Sequence, residues 1–195
     1  MTTILVAGFG PFPGAPGNPS AAIVRRIART RRPLWAGHRI VTHVFGTRYD
    51  AVARDLPALV GKHRPQAVVL FGLAARTPYL RVETRARNRV TQLFPDAARR
   101  RPAARIEAGG PASLRGRAPF VRLASAARAA GADARLSRDA GAYVCNFAYW
   151  HAIRAAPALA VFVHVPKPRG PSDLNGLIRA AQAIVSAALS QSLRH

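Results

Sequence analysis

The sequence predicts an α/β domain: a largely parallel sheet with helices on both faces. Two observations predict it. Short, almost wholly apolar runs that stop at glycine or proline recur along the chain: TILVAGFG (3–10), QAVVLFG (66–72) and ALAVFVHV (158–165). Strands buried on both faces read this way. Stretches with apolar residues three and four apart lie between them, and this alternation implies crossover connections. Ligands of such sheets bind outside the carboxyl ends of the strands. Gly8–Gly10, the loop after Gly72, and His164 all fall at such ends, on one rim.

Each element has its own signal. After the first strand, Asn18-Pro19 reads as N-cap and first position of a helix over about 19–30, with Ile23, Val24 and Ile27 on one face. HRIVTHVF (38–45) is a second strand. Thr47 is placed to cap a helix over about 48–63, which turns Val52, Leu56, Leu59 and Val60 inward. YLRVETR (79–85) alternates, with Leu80 and Val82 on one face and Arg81 and Glu83 on the other. From about 95 to 119 the text is rich in Pro, Gly and Arg and reads as a long excursion from one domain, not a linker between two. Helices follow at about 120–130 and around Cys145. The last helix, about 173–193, repeats Leu174, Leu177, Ile178, Ala181, Ile184, Val185 and Leu189 at helical spacing.

Composition excludes several classes. At 195 residues, about half of them hydrophobic, the chain suits a single domain with a sizeable core. Its single cysteine, Cys145, forms no intramolecular disulfide, so nothing argues for an oxidising compartment. MTTILVAGFGPF lacks the basic start of a signal peptide, and no apolar run approaches the roughly 20 residues of a membrane span. A cytoplasmic protein is expected. The charge is extreme, 30 Lys+Arg against 8 Asp+Glu, and only Lys62 and Lys167 are lysines. Such a surface attracts polyanions nonspecifically. Arginine is scattered from Arg25 to Arg194 rather than gathered on one element, so no specific nucleic-acid partner is expected.

Three residues carry the chemistry worth weighing. Cys145 falls in or near the first turn of a helix preceded by Asp139-Ala-Gly141. A helix mouth favours thiolate, and cysteines there have pKa values lowered from about 8.5 to roughly 3.5–7.5. A buried structural cysteine is the competing reading, and on the cysteine alone the better one. His164 lies at the carboxyl end of a buried strand, where an imidazole serves as general base or as a hydrogen-bonded core residue. Glu83 is one of two glutamates and sits among Arg81, Arg85 and Arg87, as a surface ion pair or as the orienting member of a triad. Asp139 is its rival for that role. GFGPFPG (8–14) does not fit a nucleotide loop, because Pro11 and Pro13 remove amides a phosphate needs. It does present Phe9 and Phe12 on a rigid support, as an apolar clamp for a small flat ring or as core packing. No Cys/His/carboxylate spacing suggests a metal.

Together, ILVAGFGPFPGAPGNPS (4–20), FGLAAR (71–76) leading to Glu83, DAGAYVCNFAYW (139–150) and VFVHVP (161–166) resemble the pyroglutamyl peptidase I family of cysteine peptidases. The resemblance implies a three-layer α/β sandwich, phosphorylase/hydrolase-like, around a twisted, mostly parallel mixed sheet. It implies Cys145 as nucleophile, His164 as its base and Glu83 as the carboxylate behind His164. Phe9, Phe12 and Tyr143 fall where the family builds its apolar pocket, and Asn18 on the family's Asn of the same loop. Leu73 replaces the usual Gln at a position whose lactam contact is through the backbone. The family implies no cofactor, N-terminally pyroglutamylated peptides as partners and often a homotetramer. The chain departs from it at the shortened AAR (74–76) and at Leu93, where an Arg assists the oxyanion; Arg87 or Arg89 are the candidate substitutes. The alternatives left open are a diverged cysteine amidohydrolase acting on another small lactam or amide, and a polyanion-binding protein on a retired peptidase scaffold.

Overall fold

A computed structural model describes residues 1–12, 15–155 and 158–192 of the chain. Eight strands and five helices follow in order: β1 Thr3–Phe9, α1 Pro19–Arg29, β2 Arg39–Phe45, α2 Tyr49–His63, β3 Ala67–Leu73, β4 Leu80–Glu83, β5 Arg85–Arg87, β6 Ser113–Arg115, α3 Phe120–Ala129, β7 Ala134–Ser137, α4 Val144–Ala155, β8 Leu159–Val165 and α5 Pro171–Ser192. Six strands form one sheet in the order β2-β1-β3-β8-β4-β7. β2, β1, β3 and β8 run parallel, β4 pairs β8 antiparallel, and β7 is parallel to β4. Position 193 of the predicted last helix, Pro13 and Gly14 of the glycine loop, and Arg194 and His195 lie outside the described residues.

The three apolar runs are the central strands, and their burial explains their composition. Ile4, Val6, Val69, Phe71, Val161 and Val163 face one side of the sheet with α1, α3 and α5. Leu5, Phe9, Val68, Leu70 and Phe162 face the other side with α2 and α4. Both faces are covered, so these strands need no polar alternation. β4 does alternate: Leu80 and Val82 join the first core while Arg81 and Glu83 point the opposite way, as its sequence predicts.

Capping departs from expectation at α2. Asn18 caps α1 as predicted, its Oδ1 accepting from the Ser20 amide at 3.1 Å. Thr47 does not cap α2; its hydroxyl donates to the Gly10 carbonyl at 3.0 Å. The first amide of α2, on Tyr49, donates instead to Asp96 at 3.1 Å, from a carboxylate nearly fifty residues away. Asp96 is buried and also accepts from the amides of Ala98 and Arg100, each at 2.9 Å. The irregular excursion is therefore anchored to the body. Its β6 closes a hairpin with β5, and Glu107 pairs with Arg154 of α4. β7 carries no strong sequence signal. It is a short edge strand, with Arg135 and Leu136 exposed.

Candidate active site

The antiparallel insertion of β4 beside β8 makes the site. It sets Arg81 directly across from His164 and Glu83 across from Phe162. The two side chains of β4 that avoid the first core then meet the His164 ring. Glu83 is fully buried, and its Oε1 lies 2.8 Å from His164 Nδ1. With a carboxylate as acceptor, Nδ1 carries the proton and donates it, which leaves the Nε2 lone pair facing away from Glu83. Asp139, the rival carboxylate, is instead half-buried and paired with Arg87 at 3.1 Å.

The sulfur of Cys145 lies against β3. Gly72 is the strand neighbour of His164. A Cβ built on Gly72 would stand 2.9 Å from Cys145 Sγ and 2.6 Å from Phe162 Cζ. Only glycine lets the helix-borne sulfur approach the strand beside the imidazole. Gly72→Ala is therefore expected to push the sulfur aside by the better part of an ångström, since the Phe162 ring is fully buried and cannot yield. A loss of kcat of about a hundredfold follows for a misplacement of that size. Steady-state kinetics beside a thermal melt check it; unchanged kcat in a folded variant would refute this account of the glycine.

Cys145 is the second residue of α4, in its first turn as expected. The lowered thiol predicted from that position is not found. Burial, and then the negative charge of Glu83, push the thiol up to about 12, while Arg81 works against them. A single helix mouth, worth about 0.3–1 kcal/mol in most settings, does not outweigh desolvation together with a nearby anion. These contributions favour the thiol form of Cys145 over the thiolate.

The predicted pocket residues sort by depth. Phe9 is buried in the second core, with its ring centroid 5.7 Å from Phe45 and 6.1 Å from Phe162. Phe12 and Tyr143 are half-buried with ring centroids 6.0 Å apart, and Tyr49 stands edge-on to Tyr143 at 6.0 Å. Leu73, half-buried, ends β3 at the same rim. Asn18 uses both ends of its amide on the loop itself, donating to the Gly10 carbonyl at 3.1 Å and accepting from Ser20. It shapes the loop that carries the two phenylalanines. Leu93 is largely exposed, and Arg87 is held at Asp139.

Sequence reasoning missed two members. Asn146, fully buried next to Cys145, accepts from the Arg87 amide at 2.8 Å and donates to the carbonyls of Arg87 and Arg89 at 2.8 and 3.0 Å. It ties the mouth of α4 to β5. A lone amide side chain in an apolar helix was the available signal. Tyr149 donates from its hydroxyl to the Glu83 carbonyl at 2.8 Å. A Cβ on Gly116 would lie 1.9 Å from that hydroxyl oxygen, so the hairpin end must carry glycine there. Among the described residues no group of three or more His, Cys, Asp or Glu is placed to hold a metal ion, and no helix is long and apolar enough to cross a membrane.

Residues 2–175 match the family model for pyroglutamyl peptidase. The pyrrolidone-carboxylate peptidase 1 of Ralstonia nicotianae is 35% identical over 172 residues, covering 85% of this chain and 79% of its own. The human pyroglutamyl-peptidase 1 is 30% identical over 188 residues, covering 93% and 87%. The crystal structure of Bacillus amyloliquefaciens pyroglutamyl peptidase I superposes with a TM-score of 0.86 at 25% identity, over 98% of both chains.

Proposed function

The chain belongs to the pyroglutamyl peptidase family of cysteine peptidases, and from that premise we propose how its own residues carry out the hydrolysis. The enzyme hydrolyses the amide bond after an N-terminal pyroglutamyl residue. The observation that carries the assignment of roles is the buried Glu83–His164 contact at 2.8 Å with Cys145 Sγ packed at the neighbouring strand position, Gly72.

A pyroglutamyl group is a neutral lactam with no free α-amine. An apolar slot with a few main-chain hydrogen bonds suits it better than an acidic pocket. Phe9, Phe12, Tyr143 and Tyr49 form that slot, with Leu73 offering main-chain groups at its edge. Cys145 starts as a thiol, so attack and proton removal are coupled. Nε2 of His164 takes the proton as Sγ bonds to the carbonyl carbon, and Glu83 holds the resulting imidazolium. The amides at the mouth of α4 face the developing oxyanion. The imidazolium then gives its proton to the leaving nitrogen, the C–N bond breaks, and a thioester remains. Water, deprotonated by His164, adds to the thioester. The C–S bond breaks, pyroglutamate leaves, and the proton returns to sulfur.

Hydrolysis of a pyroglutamyl fluorogenic amide by the wild-type chain tests this reading, with a prolyl amide as control. Turnover of the first alone is expected; no turnover of either would refute it. A cytoplasmic homotetramer completes the proposal, on the family resemblance. A light-scattering mass near four subunits is expected, and a monomer at micromolar concentration would overturn it.

A further inference from the structure

Glu83 is held by fewer partners than its burial calls for. It is fully buried, yet its Oε2 has no hydrogen-bond partner. Two side chains hold its carboxylate, both through Oε1: His164 Nδ1 at 2.8 Å and Arg81 Nε at 3.1 Å. The Arg81 contact is an ion pair without hydrogen-bond geometry. The same guanidinium reaches within 3.3 Å of His164 Nδ1 through Nη2. Since Nδ1 donates to Glu83, that approach is charge against ring, not a second hydrogen bond. Arg81 is three-quarters buried and comes from the strand position directly across from His164, so the sheet itself sets its place.

Buried carboxylates need compensation, and an orphaned oxygen raises that need. A cation at 3.1 Å supplies it. We propose that Arg81 is a positioning residue of this hydrolase: it fixes the Glu83 carboxylate on His164 and offsets the Glu83 charge at Cys145. The inference rests on the assignment of Cys145, His164 and Glu83 made above. Other groups facing the sulfur are of a different kind. His164 lies across the β3–β8 pairing, and Tyr49 of α2 and Tyr143 before α4 are phenols whose own ionisation burial pushes up. Among these, Arg81 is the cation, and its charge pulls the Cys145 thiol down against burial and Glu83.

The test compares wild type with Arg81→Met, Arg81→Gln and Arg81→Lys by two readouts. The first is the pH dependence of Cys145 alkylation by iodoacetamide, which needs no peptide substrate. Removing an opposite charge from the neighbourhood of an ionising group moves its midpoint by about one unit or more. Arg81→Met and Arg81→Gln are expected to move it to higher pH, and Arg81→Lys to return it to within about half a unit of wild type. The second is steady-state hydrolysis of the pyroglutamyl amide. Loss of kcat of roughly tenfold to a hundredfold, with KM changed less than about threefold, is expected from a loosened carboxylate. An unchanged alkylation midpoint in Arg81→Gln, or a loss confined to KM, overturns the proposal. Arg81→Gln removes the charge while keeping a polar N–H donor, so it decides the matter if Arg81→Met fails to fold. If wild type lacks pyroglutamyl activity, the assigned function fails, while the alkylation series still decides the role of Arg81.

Discussion

Cys145→Ala is expected to lower kcat on the pyroglutamyl amide by more than about 10⁴-fold, with a melting temperature within a few degrees of wild type. In the proposed mechanism the sulfur forms and breaks the bond to the acyl carbon, so nothing else in the site would replace it. Removing a nucleophile of this kind costs most of the catalysis, and the residue left over comes from binding and oxyanion stabilisation. Stability should change little, because the substitution removes a single atom from the side chain. A variant that keeps even a tenth of the activity would remove Cys145 from the mechanism. Cys145→Ser makes the stricter comparison. Its hydroxyl fits the space, but the imidazole must abstract a proton from a poorer acid, so it should be nearly as inactive.

Glu83→Gln is expected to lower kcat by about a thousandfold. Either orientation of the new amide removes a unit charge from beside the imidazole. The proton His164 takes from sulfur would then sit near Arg81 with no anion to balance it. Two unit charges about 4 Å apart interact by about 4 kcal/mol at an effective dielectric near 20. That corresponds to roughly a thousandfold in rate. The same substitution has an opposite effect on the nucleophile. Glu83 raises the Cys145 thiol, second only to burial. Without it, the thiol titrates lower, and the iodoacetamide profile should move to lower pH while turnover falls. A folding defect does not produce that pair of results. Activity within tenfold of wild type, or an alkylation profile moved upward, would show that Glu83 is not the charge that governs the pair. Glu83→Gln and Arg81→Met together should fall short of the sum of the single losses, because they remove facing charges.

Much of the site was legible along the chain because its signals are local. Cys145 could be placed in a helix's first turn from Asp139-Ala-Gly141, and the structure shows the turn: Gly141 has φ 81°, and its amide donates to Asp139 at 2.9 Å. His164 could be placed at a strand's carboxyl end from the apolar run before it and Pro166 after it. Thr47 misled because a hydroxyl before a helix has the composition of a cap. The true partner, Asp96, reaches the helix only through the tertiary path of the excursion. Arg81 misled for a related reason. It read as one of three arginines available for a surface ion pair with Glu83, and nothing local marks which of them the sheet will bury.

The sequence by itself determined the alternation of strands and helices and the two faces of β4, and it offered Cys145, His164 and Glu83 as candidates, with Asp139 as the rival carboxylate. Periodicity and motif spacing depend on near neighbours, so they survive in one dimension. Tertiary structure alone decided that β4 runs antiparallel into β8, which brings Glu83 to a histidine 81 positions away and lays Arg81 over both. It also decided the state of Cys145. A helix mouth is a local feature that favours thiolate, but desolvation and the Glu83 charge arise only when distant segments close around the sulfur, and in the folded protein they prevail.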